Sequence, residues 1–203
     1  MKDKNLTSQW NWDIYYKSID NPAPRETLVK ALNFFGDYTG FAIDLGCGNG
    51  MDTIELLKRG WEVLAIDKSQ EGLSIIENNT NLLYKSKLTT KQASFEGVNL
   101  PEADFINASL SLPFCQPEYF GRIWEQINVS LGIKGRFAGN LFGEHDEWTK
   151  YSNMTFHTKE QVHNLFKEFE IEFFYEYNGD GKVTGGASKH WHYYQVVAKK
   201  KYL

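Results

Sequence analysis

From residue 22 onward, short apolar runs alternate with stretches of helical period, and this alternation limits the fold more than any other feature of the chain. Pro22 and Pro24 open a helical pattern with Leu28, Ala31, Leu32 and Phe35 on one face and Gly36 as its end. An apolar strand over 41–45 runs into a glycine run, 46–50. The spacing then predicts a helix over 51–59, facing inward through Ile54, Leu57 and the stem of Lys58, with Gly60 as its stop. A strand over 62–66 ends at Asp67, and a helix over 69–84 buries Leu73, Ile76 and Leu83. Further along, 91–95 reads as a weak strand, 104–110 as a stronger one, 117–131 as a helix ended by Gly132, and 136–142 as a strand. A helix over 158–169 starts on Thr158 as N-cap, with Gln161 completing a capping box. Strands over 170–177 and 191–199 follow, joined by the glycine-rich 178–186; with no helix between them they pair antiparallel.

Such alternation implies an α/β, doubly wound, mostly parallel seven-stranded sheet with helices on both faces and a C-terminal antiparallel hairpin. The 203 residues, 41% of them hydrophobic, suit one domain: an arm and helix over 1–36 and a core over 37–203. A net charge of -4 disfavours a sequence-independent nucleic-acid binder, which needs an excess of Lys and Arg. No stretch approaches the ~18 apolar residues of a membrane span, and residues 1–16 lack the apolar core of a signal peptide. Two cysteines, Cys47 and Cys115, make no disulfide framework. A soluble cytoplasmic protein is expected.

In sheets of this kind ligands bind beyond the carboxyl ends of the strands. The glycine run lies there, within AIDLGCGNG, residues 42–50. Gly46, Gly48 and Gly50 let the backbone turn tightly and approach a ligand, and the helix that follows offers free N–H groups. Asp44 can balance a positive charge. Asp67, with Lys68 beside it, is placed to accept the two hydroxyls of a ribose. Cys47, inside the turn, reads as a small lining residue rather than a nucleophile, and Cys115 as a packing residue.

This segment resembles motif I of the class I, Rossmann-like S-adenosylmethionine methyltransferases. The spacing is G-x-G-x-G, whereas the dinucleotide fingerprint is G-x-G-x-x-G. The D-x-G carboxylate would sit poorly beside a pyrophosphate but suits a ligand with an ammonium and a sulfonium. The resemblance implies S-adenosylmethionine as cofactor, held by Asp44, Gly46, Cys47, Gly48, Gly50, Asp67 and Lys68. It further implies that Glu96, with Phe95 as neighbour of the ring, accepts from the adenine amino group. After the fourth strand the family lines the methyl-transfer site, here with Asn107, Ala108, Ser109 and Leu110. This departs from the Asn/Asp-Pro-Pro-Tyr/Phe tetrapeptide of enzymes acting on amino groups of bases or glutamine. Small size and short insertions are most similar to the compact bacterial small-molecule methyltransferases, such as the tellurite-resistance or thiopurine type. The acceptor is therefore expected to be a small molecule, its identity open. Two rival readings are a non-catalytic S-adenosylmethionine-binding partner protein and a nicotinamide-dependent oxidoreductase.

Acceptor-side residues are fewer. Trp10, Trp12, Tyr15 and Tyr16 could form a lid or simply dock the arm. Arg25 is placed either to pair with the methionine carboxylate of the cofactor or to stay on the helix surface. His190 and His192, two apart in a strand, share a face; without further ligands no metal is expected there, and His192 is a candidate general base. His145, between Glu144 and Asp146 at the sheet's carboxyl edge, is another. The acceptor site is expected between the arm, 107–110, 142–145 and 190–192.

Overall fold

The computed structural model describes residues 23–183 and 186–201. Its first described helix, α1 (Glu26–Phe35), buries Thr27, Leu28, Ala31 and Leu32; Leu28, Ala31 and Leu32 belong to the stripe that helical period predicts, and Phe35 is half-buried. Then come β1 (Phe41–Leu45), α2 (Met51–Lys58), β2 (Glu62–Asp67), α3 (Gln70–Asn79), β3 (Leu88–Gln92), β4 (Ala103–Ala108) and α4 (Pro117–Ser130). The rest is β5 (Leu131–Gly143), β6 (Phe156–His157), α5 (Lys159–Leu165), β7 (Phe169–Lys182) and β8 (Ser188–Lys200). The strand order is β3-β2-β1-β4-β5-β8-β7, with β6 beside β5. Pairing is parallel from β3 to β5; β8 runs antiparallel to both β5 and β7.

Both faces of the sheet are covered, as a parallel sheet requires. On one face Ile43, Ile106, Phe137, Leu141 and Val196 pack against Ile123, Trp124 and Phe166. On the other, Ala42, Val63, Phe105, Ala138 and Val197 pack beneath α1 and α2. The chain reverses direction of strand order between β1 and β4, so the carboxyl ends of β1, β2 and β4 open onto one crevice.

The sequence reading needs several corrections. The helix expected over 158–169 ends at Leu165, and Phe169 already opens β7. The helix after β2 stops at Asn79, because Asn78, Asn79, Thr80 and Asn81 offer side chains that compete with helical bonding. Thr80 Oγ1 donates to the Ile76 carbonyl, and Asn81 caps a short 3-10 turn. Leu83 is therefore 79% exposed instead of buried. The third strand lies three residues earlier than predicted, which leaves Phe95 and Glu96 in a loop. In α2 the buried face is Asp52, Thr53, Leu56 and Leu57, while Ile54 is half-buried and Lys58 exposed. The terminal strands are far longer than predicted, since the ladder continues through Gly179 and Gly181 to Lys182 paired with Ser188. Finally, β6 is a two-residue strand without a sequence signal of its own, pairing Phe142 with Phe156 and Gly143 with His157.

Candidate functional site

The glycine turn hangs from the end of β2. The N–H groups of Gly46 and Cys47 both donate to the Ile66 carbonyl, at 2.7 and 3.0 Å. Gly46, Gly48 and Gly50 all have positive φ, at 75°, 57° and 86°, the left-handed region that side chains disfavour. Space enforces the choice as well. A Cβ on Gly46 would lie 2.4 Å from Ser111 Cβ, and one on Gly50 2.3 Å from Ile76 Cγ1.

Beneath the turn lies a buried carboxylate network. Asp44 is 2% exposed; its Oδ2 accepts from Thr53 Oγ1 at 2.6 Å and its Oδ1 from Asn107 Nδ2 at 2.9 Å. The same Asn107 nitrogen donates to Asp52 Oδ2 at 3.0 Å, and Asp52 Oδ1 accepts the Arg25 backbone N–H at 2.9 Å. Burial, then the neighbouring Asp52 charge, push the Asp44 carboxyl up to about 7. Burial also raises the Cys47 thiol, with Asp44 and Asp67 adding to the effect, so Cys47 is a neutral thiol at pH 7. Asp67 is oriented by two backbone donors, Gly48 at 2.9 Å and Ser69 at 2.8 Å. Burial raises its carboxyl, and those two N–H groups work against the rise.

Asp67 opens onto a cleft that also takes in Gly46, Lys68, Phe95, Glu96 and Leu110. Leu45, Ile66, Val98 and Phe114 give it apolar walls. The cleft thus collects five of the ten expected cofactor residues, Gly46, Asp67, Lys68, Phe95 and Glu96, while Cys47, Gly48 and Gly50 of the turn are not in its wall. Asp44 and Asn107 are not in its wall; they sit behind the turn and support it. Residues that sequence reasoning missed are Ser111, whose Oγ donates to the Leu45 carbonyl at 2.6 Å, and Asp52, Thr53 and Asn140. Asn140 Oδ1 accepts the Leu110 N–H at 3.1 Å and holds that residue at φ 50°. None of the four carried a signal in the sequence, where the helix over 51–59 reads as facing inward through Ile54, Leu57 and Lys58.

The two histidine candidates belong elsewhere. His192 is 2% exposed, takes the His145 backbone N–H on Nδ1 at 3.0 Å, stacks on the His145 ring, and meets Glu176 at 3.2 Å. His190, on the same face as expected, lies between Asp180 and Asn178. Trp191 points the other way, against Phe142 and Trp148. Neither His145 nor His192 lines the cleft. Cys115 is buried, and burial pushes its thiol up to about 12, consistent with packing. Arg25 N-caps α1 and contributes its backbone to Asp52. The aromatic residues 10, 12, 15 and 16 of the arm lie outside the described residues. Among the described residues no three His, Cys, Asp or Glu side chains group as metal ligands, and no helix is long and apolar enough to cross a membrane.

Residues 42–135 match the family model described as a methyltransferase domain. The magnesium-protoporphyrin O-methyltransferase of Rhodobacter capsulatus is 28% identical over 92 residues, 45% of this chain and 41% of that protein. The chain thus spans about two fifths of that relative's length. Among solved structures, TehB from Haemophilus influenzae superposes with a TM-score of 0.75 at 18% identity, covering 94% of this chain and 68% of that one. The 1,6-didemethyltoxoflavin-N1-methyltransferase of Burkholderia thailandensis gives 0.67 at 17% identity, over 90% and 80%. With the motif, the strand order and the terminal hairpin in agreement, residues 42–135 are similar to a methyltransferase domain and the chain has the class I, Rossmann-like methyltransferase fold.

Proposed function

We propose that the protein transfers the methyl group of S-adenosylmethionine to a small organic acceptor. One observation carries this reading: Asp67, Gly46 at the head of the glycine turn, Phe95 and Glu96 share the walls of a single cleft at the carboxyl ends of β1 and β2. The fit is chemical as well as spatial. The two backbone donors on Asp67 fix its carboxylate and leave lone pairs for the two hydroxyls of a ribose. Phe95, Val98 and Leu110 offer an apolar slot for a purine, and Glu96 an acceptor for its amino group. No Cβ fits at Gly46, so the turn keeps the backbone accessible from the cleft. The buried carboxylates behind the turn favour a cationic ligand over a pyrophosphate, which disfavours the nicotinamide reading. The Burkholderia structure holds 1,6-didemethyltoxoflavin and S-adenosylhomocysteine, which supports a small acceptor here.

S-adenosylmethionine supplies a methyl on a positively charged sulfur: the acceptor's lone pair forms the new bond, the sulfur keeps the electrons of the broken one, and S-adenosylhomocysteine leaves. The protein's part is to hold the acceptor in line with that bond and exclude water. An acceptor that carries a proton passes it to solvent. Calorimetry with S-adenosylmethionine, S-adenosylhomocysteine and NAD tests the cofactor, with binding expected for the first two. Production of S-adenosylhomocysteine across a panel of small acceptors tests catalysis. Binding of NAD alone, or S-adenosylmethionine binding with no turnover on any acceptor, would overturn the reading in favour of the corresponding rival.

A further inference from the structure

A second cleft adjoins the first, and Leu110 stands in the wall of both. It lies on the α1 face of the sheet, over the strands of the terminal hairpin. Its floor is aromatic. Trp191 and Tyr193 come from β8, and Tyr177 from β7 stacks on Tyr193 with ring centroids 5.3 Å apart. Gly181 faces Trp191; a Cβ there would come within 3.0 Å of Trp191 Cδ1, so the glycine leaves that edge of the indole open to the cleft.

The charge of this cleft differs from that of the first. Arg25, at the start of α1, and Lys182, at the end of β7, both line it, and neither side chain pairs with a carboxylate among the described residues. Glu26, the acid in the wall, lies 3.4 Å from Lys30. The amides of Asn140 and Gln195 add polar groups that can orient a ligand.

We infer that this second cleft receives the methyl acceptor, and that the acceptor is a planar, aromatic or heteroaromatic molecule bearing an acidic group. The inference rests on the function proposed above. Aromatic faces stabilise a flat ring by offset or edge contact, and two cations without ion-pair partners among the described residues favour a carboxylate, phenolate or enolate. Leu110 marks where the two ligands meet: the backbone there is held by Asn140 from the next strand, so the partition between the clefts is fixed.

The test uses the full chain and the probes 2-naphthoate, 2-naphthamide and 2-naphthylmethylammonium. S-adenosylhomocysteine binding is measured first, by calorimetry, and then each probe is titrated into protein saturated with it. The expected order is naphthoate tightest, with the neutral amide weaker by about tenfold, the scale of one charge-assisted hydrogen bond. Lys182→Gln and Arg25→Gln should each weaken naphthoate by about tenfold and leave S-adenosylhomocysteine affinity unchanged. Equal binding of the three probes, preference for the cation, or no binding of any probe overturns the inference. So does an Arg25→Gln variant that loses S-adenosylhomocysteine instead of naphthoate, since Arg25 would then serve the cofactor. If naphthoate binds as expected but S-adenosylhomocysteine does not, the proposed function fails and the planar-anion site stands on its own.

Discussion

Replacing Asn107 by Leu should cost more stability than any other single change in the cofactor region, and the cost should depend on pH. Asn107 is fully buried, and its one nitrogen serves two carboxylates, Asp44 at 2.9 Å and Asp52 at 3.0 Å. Leucine keeps the volume and removes both bonds. Each bond to a charged group contributes about 1.5–3 kcal/mol, so the loss at pH 8 is about 3–6 kcal/mol, a large share of the ~5–15 kcal/mol typical of a whole domain. The sign of the pH effect follows from Asp44. Its carboxyl is raised in the fold to about 7 from 3.8, so its favourable contribution is present below about pH 4 and is lost as pH rises through 7. Around pH 5.5 Asp44 is protonated in the fold and needs its donor less, so the same substitution should cost about 2–4.5 kcal/mol, the sum of one neutral and one charge-assisted hydrogen bond. Urea unfolding followed by circular dichroism at pH 5.5 and 8 measures both values. A loss under about 1 kcal/mol at pH 8, or an equal loss at the two pH values, would refute the network as described.

Three further outcomes follow. Asp67→Ala should weaken S-adenosylmethionine by about 1.5–3 kcal/mol in calorimetry, and unchanged affinity in a folded variant would remove Asp67 from the ribose site. Gly46→Ala puts a side chain at φ 75° and 2.4 Å from Ser111 Cβ. It should lose about 1–2 kcal/mol to backbone conformation and about 1–3 kcal/mol to overpacking, read by thermal unfolding, and should also lose cofactor binding. Gly143→Ala drives a Cβ to 2.2 Å from His192 Nδ1. Its cost should shrink in a His192→Ala background, and a double-mutant cycle showing additive effects would place the clash elsewhere.

The parts of the fold that could be read from the sequence were those where one physical signal dominates. The stripe of Leu28, Ala31 and Leu32 has no competing interpretation, and the capping box of Thr158 and Gln161 is seen in the structure with both bonds made. The glycine spacing after β1 announces a backbone that must adopt positive φ, and three glycines there do. Where the signal is weak, position slipped. The edge strand β3 holds Leu88, Thr89, Thr90, Lys91 and Gln92, of which none is fully buried, so neither run of residues was clearly apolar. The long hairpin escaped because glycine in a strand reads as a turn, whereas cross-strand pairing with 188–191 carries Gly179 and Gly181 through the ladder. Contacts between distant segments left no trace at all: Asn140 serving Leu110, or Ser111 filling the space above Gly46, can be found only once the strands are laid side by side.

The two clefts differ in charge, and on the proposed function that difference has a consequence for turnover. Asp44, Asp52 and Asp67 cluster around the glycine turn, where burial makes the Asp44 charge costly. A sulfonium and an ammonium nearby would relieve that cost, so the cofactor is favoured while its sulfur is charged. Across Leu110, Arg25 and Lys182 favour an acceptor while its nucleophile is anionic. Methyl transfer to that anionic group removes both charges in one step. The sulfur becomes neutral beside the carboxylates, and the acceptor becomes neutral beside the cations. Each cleft then holds its product less tightly than its reactant for an electrostatic reason, while the apolar contacts of Phe95 and Val98 on one side and Trp191 and Tyr193 on the other are unchanged by the reaction. The apolar walls would thus supply affinity common to both states, and the charged residues the difference between them.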